Sequence, residues 1–95
     1  KEEEEEELNF QDCNILIAED NETNQMVIEM ILEDLEIENI TIEDNGLKAY
    51  ENYRENHNKY DLILMDINMP IMGGIESTTN ILEFEKKNNI KHTPI

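Results

Sequence analysis

The chain has 95 residues, with one cysteine, two prolines, three glycines and no tryptophan. One cysteine cannot close an internal disulfide, and Cys13 together with His57 and His92 offers too few ligands for a structural zinc site. The length is that of one small domain and leaves no room for a second. The fold must therefore depend on its hydrophobic core.

Basic side chains are also few. Seven Lys and Arg stand against 24 Asp and Glu, which gives a net charge of −17. Such a charge repels phosphate backbones and anionic lipid surfaces, so we expect no nucleic-acid partner. The longest apolar runs, at 15–18 and 62–65, have four residues each, whereas a membrane span needs roughly 18. We therefore expect no membrane contact by this segment.

The N-terminal part differs in composition from the rest. Residues 1–12 contain six consecutive glutamates, and their mutual repulsion predicts an acidic, extended or disordered linker. The segment lacks the apolar stretch of a secretory signal and begins with Lys. We interpret the chain as a piece of a longer cytoplasmic protein, with a folded domain at 13–95.

The remaining sequence alternates between strand and helix patterns. Strands are predicted at 15–18, 40–43 and 61–65 with the start of a fourth at 92–95, and helices at 22–35, 47–55 and 75–87. In the first helix the spacing of Val27, Ile28, Ile31 and Leu35 predicts the buried face. This alternation is typical of an α/β fold with a parallel sheet and right-handed crossovers.

Three carboxylates follow predicted strands at the point where each strand ends. Glu19 and Asp20 follow the first strand, and Asp66 follows the third. If the first strand lies between the second and the third, these side chains converge where parallel sheets bind ligands. Oxygen ligands with open positions suit Mg²⁺ better than Ca²⁺. The pattern predicts a magnesium site for phosphoryl chemistry, although strand-end acids also occur simply as helix caps.

Three segments together resemble a known family: NILIAEDNETNQ at 14–25, DNG at 44–46 and MDINMPIMGG at 65–74. They resemble the receiver (CheY-like) domain of two-component signalling, and EDN followed by NQ is similar to receivers of hybrid histidine kinases. The resemblance covers residues 13–95. It implies a flavodoxin-like, doubly wound parallel sheet of order 2-1-3-4-5, of which this chain holds the N-terminal two thirds, through the start of strand four.

The resemblance also implies roles for individual residues. Asp66 would be the phosphoacceptor, and Asp20 and Asp66 would ligate Mg²⁺ directly. Glu19 would act mainly through metal-bound water, and the backbone carbonyl of Asn68 would add a ligand. The donor would be the phosphohistidine of a histidine kinase or of a histidine phosphotransfer domain, and the receiver would itself catalyse the transfer. The phosphorylated Asp66 would then switch neighbouring loops between two states.

The family pattern continues with a hydroxyl residue after strand four and a lysine after strand five, and neither lies within these 95 residues. We therefore expect this segment to be a poor phosphoacceptor. An unpaired edge on strand four and an uncovered apolar face would also favour a homodimer or a marginally folded chain.

Two alternatives remain on the sequence alone. A Mg²⁺-dependent nuclease or topoisomerase-type catalytic domain also gathers acids after two strands, but it commonly needs an acid where Asn68 stands, and the net charge opposes a nucleic-acid substrate. A receiver-like interaction module without phosphorylation is the other, and the retained Glu19, Asp20 and Asp66 argue against it.

Overall fold

The structure, a computed structural model, describes residues 12–95. Its elements in chain order are β1 (Asn14–Ala18), α1 (Glu22–Asp34), β2 (Asn39–Glu43), α2 (Gly46–Asn56), a short 3-10 helix (His57–Lys59), β3 (Leu62–Met65) and α3 (Gly74–Lys87). These elements confirm the predicted alternation from the first strand to the third helix, while most of the predicted acidic linker, at 1–11, lies outside the described residues. No helix within 12–95 is both long and apolar enough to span a membrane.

The three strands form one parallel sheet of order β2-β1-β3. In the register of this sheet, Leu16 of β1 lies opposite Thr41 on one side and Ile63 on the other. Residues 15–18 are all buried, as expected for a continuous apolar run in a strand covered on both faces. The central position of β1 brings the carboxyl ends of β1 and β3 next to each other.

Helices cover both faces of the sheet. On one face Leu16 packs with Tyr53 of α2 and Ile81 of α3. On the other face Ile15 and Ile17 belong to a second cluster that includes Leu32 of α1. Alternate residues of β1 therefore serve opposite cores, and the chain has the doubly wound, CheY-like α/β fold that its sequence predicts.

The prediction of the buried face of α1 was wrong in part. Val27, Ile31 and Leu35 are 48%, 54% and 57% exposed. The sheet instead contacts the buried Leu32 and the half-buried Ile28. Apolar residues occupy 26–28 and 30–32, which covers more than half of the helix circumference, so their spacing does not determine which side faces the sheet.

The predicted start of a fourth strand at 92–95 is not a strand in the structure. The carbonyl oxygen of Pro94 accepts one hydrogen bond from the Ile63 N–H, at 2.9 Å. This segment therefore lies along the outer edge of β3, where the predicted order places strand four. Proline has no N–H to continue a ladder, so β3 is the edge strand on this side of the sheet, as β2 is on the other side.

Candidate functional site

The three predicted site carboxylates meet at the carboxyl end of the sheet. One oxygen from each of Glu19, Asp20 and Asp66 lies within 4.8 Å of the others. Their convergence follows from the parallel pairing of β1 with β3, which ends both strands at the same edge. Glu19 is buried, Asp66 is half-buried and Asp20 is exposed, so the cluster opens to solvent on the Asp20 side.

Backbone hydrogen bonds fix the points at which these side chains leave the sheet. The Asp66 N–H donates to the Ala18 carbonyl at 3.0 Å, and the Glu19 N–H donates to the Glu43 carbonyl at 3.0 Å. Both bonds continue the sheet by one residue beyond a strand end. Asp66 and Glu19 are therefore attached directly to the sheet, and Asp20 follows Glu19 in the chain.

The loop after Asp66 folds back on that residue through a close glycine contact. The Gly74 N–H donates to the Ile67 carbonyl at 2.8 Å, and a Cβ atom at Gly74 would overlap the carbonyl oxygen of Asp66. A side chain at this position would push the loop away from the end of β3. The glycine therefore sets the path of the chain just after Asp66.

The DNG segment at 44–46 anchors the start of α2 to the same loop. The Gly46 N–H donates to the Met72 carbonyl at 2.9 Å, and the Ser77 hydroxyl donates to the Gly46 carbonyl at 2.8 Å. A Cβ atom at Gly46 would overlap the Met72 carbonyl. This glycine thus ties α2, α3 and the loop after Asp66 together.

The donor set of the cluster fits a hard divalent cation. All the side-chain ligands are carboxylate oxygens, and no Lys or Arg within 12–95 forms an ion pair with any of the three. Three carboxylates this close repel one another. Mg²⁺ is commonly held by one or two carboxylates with further positions left open, and the half-buried Asp66 beside the exposed Asp20 provides that arrangement.

Asn68, the fourth predicted site residue, lies two positions beyond Asp66 in an exposed part of the loop. Its position in the same loop is compatible with a ligand role for its backbone carbonyl, and that role remains a prediction.

Asn24 and Gln25, the NQ pair of the motif at 14–25, contact the cluster although the sequence assigns no role to either. Side-chain amides of Asn24 and Gln25, in the first turns of α1, donate to Glu19. The sequence feature that could have predicted these contacts is the position of Asn24 and Gln25 in the first turn of α1, which begins two residues after the acidic pair at 19–20.

Comparison with known proteins places the chain among signalling proteins. The sequence model of the response regulator receiver domain matches residues 15–95. The chain is 45% identical over 84 residues to hybrid signal transduction histidine kinase I of Dictyostelium discoideum, covering 85% of this chain and 5% of that protein. It is 40% identical over 77 residues to response regulator mcs4 of Schizosaccharomyces pombe, covering 81% and 14%. The chain thus spans a small part of the curated relatives it matches.

The solved structures that the chain matches also contain CheY or receiver domains. The chain matches, at TM-score 0.77 and 31% identity, the co-crystal structure of the Saccharomyces cerevisiae histidine phosphotransfer protein Ypd1 and the receiver domain of Ssk1, covering 93% of this chain and 62% of that one. It matches the CheX–CheY–BeF₃–Mg²⁺ complex from Borrelia burgdorferi at 0.73 and 30%, covering 78% and 55%. The receiver of the Arabidopsis thaliana histidine kinase CKI1 with Mg²⁺ and BeF₃⁻ matches at 0.81 and 23%, covering 90% and 64%, a likeness of fold alone.

Proposed function

Because this chain belongs to the response regulator receiver domain family of two-component signalling, we propose that its Asp66 accepts a phosphoryl group from a phosphohistidine. The observation that carries the proposal is the convergence of the Glu19, Asp20 and Asp66 oxygens within 4.8 Å. A strand-end carboxylate with two acidic neighbours and no basic partner within 12–95 is an arrangement for cation-assisted phosphoryl chemistry.

The reaction assigned to Asp66 is a direct transfer. A carboxylate oxygen of Asp66 attacks the phosphorus, the bond from phosphorus to the donor imidazole nitrogen breaks, and the histidine leaves and takes up a proton. The product is a mixed anhydride on the Asp66 side chain. The hydrogen bond from the Asp66 N–H to Ala18 keeps the nucleophile in place during the transfer, and positioning is the main contribution that a protein makes to this type of reaction.

The residues that would hold Mg²⁺ are Asp20, Asp66 and the Asn68 carbonyl, with Glu19 acting through water. When bound, the ion supplies positive charge to offset the negative charge of the phosphoryl and carboxylate oxygens. Mg²⁺ in the CheY complex from Borrelia burgdorferi, at 30% identity, supports this part of the proposal. The chain's own contribution is to gather the oxygen ligands at one strand end.

The donor in this proposal is a histidine kinase or a histidine phosphotransfer domain. It is supported by the likeness, at 31% identity, to the structure in which Ypd1 and the Ssk1 receiver are crystallised together. We place the reaction in the cytoplasm. The phosphorylated Asp66 adds a dianion at the end of the sheet, and this charge biases the loops after β1 and β3 between two arrangements.

The nuclease and interaction-module alternatives are not favoured by any observation at the site. Asn68 stands where the nuclease alternative needs an acid. A module that is never phosphorylated would leave the clustering of three carboxylates without a role.

The test is phosphoryl transfer from a ³²P-labelled histidine phosphotransfer protein in the presence of Mg²⁺. Asp66→Asn keeps the shape of the side chain but removes the nucleophilic charge, so base-labile label on the receiver should disappear. Asp34→Asn is the matched control, since Asp34 is exposed at the end of α1, and it should label as the wild type does. Full, base-labile labelling of Asp66→Asn would show that another residue is the acceptor.

A further inference from the structure

The first turns of α1 hold Glu19 at two points. The Asn21 N–H and the Asn24 side-chain amide donate to one carboxylate oxygen of Glu19, Oε2, at 3.2 and 3.3 Å. The Gln25 side-chain amide donates to the backbone carbonyl of Glu19 at 2.6 Å. Glu19 is only 8% exposed, so these donors take the place of water. Both its side chain and its backbone are thereby attached to the helix.

The amides of Asn24 and Gln25 project from a helix end that is itself well defined. The Asn21 side chain caps α1 by accepting a hydrogen bond from the Asn24 N–H at 2.9 Å. The Asn21 carbonyl accepts from the Gln25 N–H, also at 2.9 Å. A capped first turn keeps its residues in helical geometry, so both amides approach Glu19 from a fixed frame.

The hydrogen bonds to Glu19 leave one of its carboxylate oxygens available to the cation cluster. Both hydrogen bonds to the carboxylate reach Oε2, and within residues 12–95 they leave Oε1 without a hydrogen-bond donor. Neutral amides hold the carboxylate without adding a positive charge that would compete with a cation. Holding Glu19 near Asp20 and Asp66 before an ion binds removes an ordering cost from the binding step.

We propose that Asn24 and Gln25 are positioning residues of the acidic cluster, which hold Glu19 in place and thereby raise the affinity of the cluster for Mg²⁺. Gln25 acts on the backbone turn that carries Glu19 and Asp20, and Asn24 acts on the Glu19 carboxylate. The inference rests on the metal-binding part of the proposed function and does not depend on which residue is phosphorylated.

The experiment measures the dissociation constant of Mg²⁺ by calorimetric titration of the full chain and of three variants. Gln25→Met keeps the length of the side chain and removes the donor, and we expect affinity to fall about tenfold, the lower end of the usual effect of losing a residue that supports a ligand. Asn24→Ala should cost about threefold, because its hydrogen bond is long. Thr23→Ala is the control: Thr23 is exposed in the same turn, and the dissociation constant should not change.

A double-mutant cycle separates positioning from a general effect on the fold. With Glu19 replaced by alanine, Asn24→Ala should have no further effect on Mg²⁺ affinity, because the partner of the amide is gone. Unfolding in urea without Mg²⁺ identifies the folded variants, and Asn24→Ser replaces Asn24→Ala if the latter does not fold.

Two results would overturn the inference: Mg²⁺ affinities of Asn24→Ala and Gln25→Met equal to that of Thr23→Ala, or an Asn24→Ala effect that persists in the Glu19→Ala background. In either case the proposed function would stand. Absence of Mg²⁺ binding by the folded wild type would instead refute the metal-binding part of the proposed function, and this inference with it.

Discussion

The phenolic hydroxyl of Tyr53 donates a 2.6 Å hydrogen bond to Oε2 of Glu85, a carboxylate that is only 4% exposed. The bond joins α2 to α3 on the face of the sheet that both helices cover. Glu85 also accepts from the Thr93 N–H at 3.0 Å and pairs with the His92 ring at 2.9 Å. The buried carboxylate of Glu85 in α3 is therefore hydrogen-bonded both to α2 and to the segment at 92–93 that follows α3.

Replacing Tyr53 by Phe should destabilise the domain by about 1 to 3 kcal/mol, because Glu85 would lose a donor that water cannot easily replace. Burial and the Glu85 carboxylate raise the pKa of Tyr53 to about 12, so the phenol keeps its proton near neutral pH. Urea unfolding measures the change. Tyr50→Phe, in the same helix but half-buried, should change stability by less than about 0.5 kcal/mol. Equal effects of the two substitutions would contradict this role of the hydroxyl.

Acid should weaken the domain partly through Glu85. Burial alone would raise its pKa, but hydrogen bonds from Tyr53, His92 and the Thr93 N–H outweigh burial and lower the pKa below its ordinary value of 4.5. The lowered pKa means that the contribution of Glu85 is present above pH 4.5 and is lost as the pH falls through the folded-state value. Unfolding free energies measured from pH 6 downward should therefore fall less steeply below 4.5 in Glu85→Gln than in the wild type.

Glu83→Gln is the control for this pH profile. Glu83 lies in the same helix and is exposed, so this variant should keep the wild-type slope. A Glu85→Gln profile parallel to that of Glu83→Gln would show that Glu85 does not contribute to the acid dependence.

Gly74→Ala should disturb the acidic cluster more than Gly73→Ala. A Cβ at Gly74 would overlap the Asp66 carbonyl, whereas a Cβ at Gly73 would lie 3.0 Å from the Ile67 carbonyl, a tight contact that a small shift relieves. We expect Gly74→Ala to cost about 1 to 3 kcal/mol of stability and to weaken Mg²⁺ binding, both checked by urea unfolding and calorimetric titration. Unchanged Mg²⁺ affinity in a folded Gly74→Ala protein would contradict the link between this glycine and the site.

Ile71 stores backbone strain in the loop after Asp66. Its φ is 68°, in the left-handed region that branched side chains rarely adopt, and its side chain is 77% exposed. Asparagine tolerates this conformation, so Ile71→Asn should stabilise the domain by about 1 kcal/mol. Ile67→Asn, also exposed but without a positive φ, should not stabilise it in the same urea assay. An equal gain at both positions would show that the stabilisation comes from replacing an exposed apolar side chain and not from relief of backbone strain at Ile71.

The homodimer remains a prediction, and α1 provides a surface for it. Four apolar side chains of α1 and that of its C-terminal cap, Leu35, are exposed. They are Met26, Val27, Met30, Ile31 and Leu35, and their exposed fractions range from 48% to 62%. Sedimentation velocity should show association that Ile31→Lys weakens and Thr79→Lys, an exposed site on α3, does not. A wild-type protein that is monomeric at every concentration would contradict the prediction.

The acidic cluster could be predicted from the sequence because its members stand where apolar strands stop. Glu19, Asp20 and Asp66 each follow such a run, and parallel strands bring their ends to one edge. The residues alone do not determine that β1 lies between β2 and β3. That strand order was predicted from the resemblance to receiver domains. The side of α1 that faces the sheet could not be predicted, because apolar residues cover more than half of that helix.

The network around Glu85 could not be predicted for a different reason. Most glutamates in helices face solvent, and Glu85 is followed directly by two lysines, Lys86 and Lys87. Its burial depends on Tyr53, 32 residues away, and on Thr93, eight residues away. No local spacing in the sequence marks partners that come together only when α2, α3 and the segment after α3 pack.

The central claim, that Asp66 accepts the phosphoryl group, is tested most directly by identifying the modified residue itself. After transfer from a phosphohistidine donor in Mg²⁺, borohydride reduces an aspartyl phosphate to homoserine, which mass spectrometry locates in the chain even when the phosphorylated fraction is small. We predict homoserine at position 66 alone, and none when Mg²⁺ is removed by a chelator. Homoserine at another aspartate, or none at position 66 after exhaustive phosphorylation, would contradict the account.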